Sequence, residues 1–221
     1  FGLFGTMGAV IVQAGGFANR RALFDIAVSG PIAGIIIAIP VAWYGVQQSE
    51  VHVFEPDAAS IRFGDPLILK AMVYLTHGPL AENQDVVLNP LLFAGWVGIF
   101  LTGLNLMPIG QLDGGHVLYT LLGKRAHTVA FLAWIGLITY MVLAQYWGFV
   151  VIVILLGMMG LKHPPTSNDN MTLGVGRTIT GWLTMALLFL CFTPQPIQFH
   201  FPDPPANKPA KVAPSVEEGI Q

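Results

Sequence analysis

From Pro90 to Gln111 the chain carries no charged side chain, and then Asp113 appears before apolar sequence resumes at Val117. The full stretch reads Asn105-Leu106-Met107-Pro108-Ile109-Gly110-Gln111-Leu112-Asp113-Gly114-Gly115-His116. It sets a carboxylate, two amides and several backbone breakers inside a run that otherwise reads as membrane-spanning. An ionisable group at that depth costs a few kcal/mol on insertion scales, so it faces a cavity and has a partner. Pro108 and the glycines free backbone polar groups that lipid cannot satisfy, which is tolerated only in a protein-lined or polar setting. As one straight helix, Pro90 to Leu122 would be about 50 Å long at 1.5 Å per residue. That overshoots a bilayer, so a break is expected near Asn105 to Gln111. The pattern reads as an active or transport site.

Composition supports a membrane setting. Of 221 residues, 54% are hydrophobic and 10% charged, with a mean hydropathy of +0.65, against about 25% charged in soluble domains. The net charge of −2 leaves no basic footprint for nucleic acid. Cys191 is the sole cysteine, which excludes an internal disulfide and a thiolate metal cluster.

Five apolar stretches follow one another: Ile26 to Val46, Pro90 to Ile109, Thr128 to Ala144, Phe149 to Leu161 and Thr178 to Phe192. A bilayer core needs about 20 apolar residues, so the last two are short and read as tilted hairpin partners. The expected fold is all-α: a polytopic transmembrane helix bundle over residues 1–193 and a Pro-rich disordered tail over residues 194–221. Arg20, Arg21, Lys124, Arg125, Lys162 and Arg177 fall on alternate loops. The positive-inside rule assigns these to the cytoplasmic side of a multi-pass protein. The acidic loop from Gln47 to Asn89, with Glu50, Glu55, Asp57, Asp65, Glu82 and Asp85, is then extracytoplasmic. No internal repeat is visible, which disfavours an inverted-repeat transporter.

Asp113 could bind a metal, relay protons or pair with a cation. It could equally cap a helix beginning at Gly114, a role that suits aspartate. Asn105 could bond freed backbone groups or a substrate peptide. His116 lies one helical turn beyond Asp113 and could reach the same site or hydrogen-bond locally. His52, His77 and His127 read as solvated loop residues, and His200 as part of the tail. A catalytic zinc needs three protein ligands and an open position. No two histidines are four apart, so the chain has no His-Glu-x-x-His motif.

At these residues the chain resembles the site-2 protease family of intramembrane zinc metalloproteases. That family carries Asn-x-x-Pro leading into Leu-Asp-Gly, matched by Asn105, Pro108, Leu112, Asp113 and Gly114. The segment Arg21 to Gly34, with Ser29-Gly30-Pro31, resembles the opening of the helix between the two family metal motifs. Phe1 to Ile11, including Phe4 and Gly5, resembles the strand segment that follows the first metal-binding helix. His163-Pro164-Pro165 is similar to a feature of some relatives. The family's His-Glu-x-x-His helix is expected upstream of Phe1, since the chain starts without methionine and reads as lacking its N-terminal portion.

The resemblance implies a bound Zn2+ with Asp113 as third ligand, and a general-base glutamate on the missing helix. Asn105, Pro108, Gly114, Gly115 and His116 are then site-shaping or substrate-binding. Phe4 and Gly5 belong to a segment that holds an unwound substrate by edge addition; a packed re-entrant loop is the alternative there. The implied partners are the lipid bilayer and a membrane-protein substrate with a transmembrane helix. Two competing readings are a noncatalytic relative that binds transmembrane helices, and an ion or proton transporter with Asp113 as carrier. The transporter needs a second intramembrane charge, which the other spans lack.

Overall fold

The computed structural model describes residues 18–53, 60–81 and 83–200. Phe4, Gly5 and the strand expected around them lie outside the described residues, as does the tail beyond His200. The chain is mostly helical. In order it forms α1 (Arg20–Gln47), β1 (Val51–Val53), β2 (Ser60–Phe63), α2 (Leu67–His77), β3 (Gln84–Val86) and α3 (Pro90–Asn105). There follow α4 (Asp113–Leu122), a short 3₁₀ turn (Gly123–Arg125), α5 (Ala126–Leu143), α6 (Val150–Met159), α7 (Val175–Cys191) and β4 (Ile197–His200).

The first helix begins six residues before the apolar stretch, at Arg20 rather than Ile26. Asn19 explains this: its side chain accepts from the backbone N–H of Arg21 and Ala22, capping the orphan donors of the first turn. The helix runs on through Pro31 and Pro40. Against it packs antiparallel α3, along a seam of small residues. Gly45 meets Leu92, Ala42 meets Gly95, Ala38 meets Gly98 and Gly34 meets Thr102. Small residues let the two backbones close up, the usual means of association where no water drives helices together. Trp96, Leu92, Ile99 and Phe100 fill the core beside this seam.

The acidic loop is more structured than its charges suggest. Its α2 buries Leu69 and Met72, and His77 Nε2 donates to the Val46 carbonyl at 3.0 Å. β1 pairs antiparallel with β3, and β2 with β4. The all-α expectation is therefore corrected by two small sheets, and the segment after Pro194 is not irregular throughout. Pairing across the whole chain length is set by tertiary contact, which local sequence does not encode.

The expected break in the second stretch is present. α3 ends at Asn105, and α4 starts at Asp113 after turns that include Gly110 at φ +56°. Gly123, at φ +60°, ends α4, and the chain then folds back. Tyr119 and His127 stack with ring centroids 5.6 Å apart, whereas eight residues along one helix span about 12 Å. Among the described residues two helical runs are long and apolar enough to cross a membrane: α1, and the run from Asp113 to Leu143 that turns at Gly123. The other apolar helices, α2, α3, α6 and α7, have 10–17 residues.

Candidate functional site

Asp113 is the first residue of α4, and Leu112 occupies the N-cap position. No side chain caps this terminus, so the helix-capping role open to Asp113 in the sequence is not the one it takes. Its carboxylate points at α1 instead. A Cβ placed on Gly30 would lie 3.3 Å from Asp113 Oδ2. The glycine of Ser29-Gly30-Pro31 thus leaves the room the carboxylate occupies. Among the described residues no donor is hydrogen-bonded to Asp113.

The glycines after it are explained by close approach. A Cβ on Gly114 would collide with the Leu106 carbonyl, and one on Gly115 with the Gly110 carbonyl. These residues seat the first turn of α4 directly on the break. The freed N–H groups of the break find local partners: Leu106 donates to Thr102, Met107 to Leu104, Ile109 to Met107 and Leu112 to Ile109. Asn105 is not needed for that task, and its amide makes no hydrogen bond among the described residues. Pro108 is half-buried and borders an apolar groove of about 420 Å³ with Met107, Leu67, Leu188 and Phe192. Asp65 and Lys70 of the acidic loop stand at the same groove.

His116 is 3% exposed, and its Nδ1 lies 2.6 Å from His163 Nε2. Sequence reasoning noted His163 but gave it no part in the site. His163 Nδ1 contacts the Pro164 carbonyl, and His127 Nε2 donates to the His163 carbonyl at 3.2 Å. Tyr119 stacks on His163, centroids 4.4 Å apart and planes 16° from parallel. The Tyr119 hydroxyl donates to Asp169 at 2.8 Å. His77 and His127, read from sequence as solvated, are both engaged. Burial, foremost, holds the His163 ring below the usual imidazole range, and the neighbouring His127 acts in the same direction. The Pro164 carbonyl and Asp169 pull the other way.

The start of α4 is rich in acceptors without donors. Gln111 Oε1 and His116 Nε2 are buried and unpartnered among the described residues, and the Asp113 carboxylate stands within the same six positions. Buried acceptors without donors are rare and point to something electropositive that the described residues do not supply. An anionic oxygen and a buried amide oxygen are chemically suited to a cation. They are not a complete shell, because no three His, Cys, Asp or Glu among the described residues are grouped to hold a metal.

The sequence profile described as Peptidase family M50, the site-2 protease family, matches residues 5–149. The chain belongs to this family. Within M50, it is 29% identical over 207 residues to "Probable zinc metalloprotease EGY1, chloroplastic" of Arabidopsis thaliana, covering 86% of this chain and 35% of that protein. The rice protein of the same name (Oryza sativa subsp. japonica) is 28% identical over 203 residues, 86% of this chain and 34% of its own. A third relative, "DDT domain-containing protein PTM" of Arabidopsis thaliana, is 31% identical over 166 residues, 67% of this chain and 9% of its own. The chain thus spans about a third of the EGY1 proteins it matches. No solved structure matches it.

Proposed function

We propose that this M50 chain forms the Asp-bearing half of an intramembrane zinc metalloprotease that hydrolyses peptide bonds in or near transmembrane segments of membrane proteins. The observation that carries the reading is the half-buried Asp113 carboxylate, unpaired among the described residues and set against Gly30 at a helix break. Membership of M50 and the zinc metalloprotease names of its relatives support it.

Zinc chemistry at such a centre consists of polarising the peptide carbonyl and lowering the pKa of bound water towards about 7. The chain's own residues prepare that chemistry. Asp113 supplies an anionic oxygen, and the turns that Gly114 and Gly115 permit hold it against α1. The Asn105 amide, with no internal partner, is available to a substrate backbone whose helical bonds have opened. The groove beside Pro108 is apolar and accommodates such a segment. The remaining ligands and the general base lie outside the described residues. The basic residues Arg20, Arg21, Lys124, Arg125, Lys162 and Arg177 support a multi-pass reading with their loops on the cytoplasmic side, by the positive-inside rule.

The test is elemental analysis of the whole protein, with cleavage of a transmembrane substrate in proteoliposomes. The expected result is about one zinc per chain, as a mononuclear site requires, with zinc and cleavage both lost in Asp113→Ala. A protein without zinc or cleavage that still captures transmembrane helices would establish the noncatalytic reading instead. The PTM relative, whose name carries no protease designation, keeps that outcome specific.

A further inference from the structure

The helix that carries Asp113 has only 10 residues, and its first turn rests on the break through two glycines. Glycine contacts set how close the helix comes, but they offer no side chain to resist rotation about its axis. Rotation matters here. A carboxylate oxygen rides roughly 5–6 Å from the axis, so 10° of rotation displaces it by about 1 Å. Working sites hold their groups to within about 0.5 Å.

We propose that His116 and His163 are positioning residues for Asp113, fixing the first turn of α4 through one directional hydrogen bond, while Arg20 and the Tyr119–Asp169 bond hold its far end. This rests on the reading of Asp113 as a metal ligand. His116 lies three residues after Asp113, a neighbour on the same helix face. Its anchor on the other side is held four ways. His163 Nδ1 meets the Pro164 carbonyl, its ring stacks on Tyr119, its carbonyl accepts from His127, and its loop is tied down by Arg20 and Arg21.

The direction of the bond follows from proton counting. The Pro164 carbonyl can only accept, so His163 Nδ1 carries that ring's proton and Nε2 is left with a lone pair. His116 must then donate from Nδ1 to that lone pair. The assignment makes a sharp demand on position 163: an acceptor about where Nε2 stands. Glutamine can supply one. Phenylalanine keeps the ring stacked on Tyr119 but supplies none.

The experiment uses the whole protein in detergent, loaded with zinc or cobalt(II). It compares His163→Gln, His163→Phe, Tyr119→Phe and Asp113→Ala. The readouts are metal retention against a chelator, the cobalt d–d spectrum and the melting temperature of the metal-free protein. His163→Phe is expected to lower metal retention 10- to 100-fold, the range for lost outer partners of a metal ligand, and to shift the cobalt bands. His163→Gln should restore retention and spectrum towards the parent. Tyr119→Phe should lower the melting temperature without moving the cobalt bands. If His163→Phe holds metal as tightly as the parent while Asp113→Ala loses it, the positioning role is wrong and the metal reading stands. If Asp113→Ala also holds metal undiminished, the metal reading itself fails.

Discussion

The two ends of α4 are built on opposite terms. At its far end three carbonyls are engaged: Gly123 donates to Tyr119, Arg20 Nε to Thr120 at 2.7 Å and Nη2 to Leu121 at 3.4 Å. The same guanidinium reaches the carbonyls of Asp169 and Met171, and Arg21 donates to that of Thr172 at 2.8 Å. A cation at a helix C-terminus also answers the partial negative charge there. At the near end Asp113 and Gln111 present side-chain oxygens that no described residue answers, and His116 Nε2 is without a partner among the described residues. One end is satisfied and the other is left open. The contrast teaches that the open end is not poor packing, because the same helix shows how densely this chain can bond a terminus. Unsatisfied groups held in place by satisfied ones are what a site poised for a ligand requires.

The contrast can be broken most severely at the seat of the open end. Gly114→Ala drives a methyl group into the Leu106 carbonyl, and overpacking against backbone should cost about 3 kcal/mol. The expected outcome is a protein that melts early or fails to accumulate, read by thermal unfolding in detergent. Breaking the closed end comes next. Arg20→Met leaves four carbonyls without their donor, at a cost of about 2 kcal/mol for charge-assisted bonds. Hydrogen exchange should then quicken across residues 162–174, and unchanged exchange there would refute the tie.

Acidification attacks the same end through His163. Its imidazole titrates lower in the folded chain than its ordinary value of 6.5, so the unfolded chain takes up the proton first as pH falls. The stability it confers is complete above about 6.5 and declines as pH drops below that value. His163→Phe should flatten this part of the stability–pH curve. Tyr119→Phe is milder, removing one hydroxyl donor to Asp169 at about 1 kcal/mol.

Sequence made the open end far more legible than the closed one, for a physical reason. The break at Asn105 to Leu112 is written locally: Pro108 cannot continue a helix, and the glycines mark close approach. Asp113 stood out because a charge inside an apolar run has few bland explanations. The closed end depends on contacts between distant positions, such as Arg20 with Thr120 and Tyr119 with Asp169. No local period reports these. Hydropathy also misplaced the start of α1, because it counts Arg20, Arg21 and Asp25 as loop while Asn19 caps them into the helix. The acidic loop hid α2 and the two strand pairs, since eleven residues are too few for a clear helical period against that background. Gly30 could be read as a helix-start glycine. Its use as room for Asp113 emerges only once α1 and α4 are side by side.

The smallest expected effect on stability sharpens the comparison most. Asn105→Ala and Asp113→Asn remove groups that bond nothing among the described residues. In the metal-free protein each should leave stability within about 0.5 kcal/mol of the parent. Asp113→Asn is expected on the stabilising side, since it removes the charge of a half-buried carboxylate that has no hydrogen-bond donor among the described residues. Function should move the opposite way, with cleavage abolished in Asp113→Asn and reduced in Asn105→Ala. Such a split between stability and activity is the mark of residues kept for chemistry at the expense of folding. Chemical denaturation of metal-free protein beside proteoliposome cleavage reads both quantities on the same variants. If Asp113→Asn instead destabilised the metal-free protein as much as Arg20→Met does, Asp113 would have an internal partner. The two ends of α4 would then be alike.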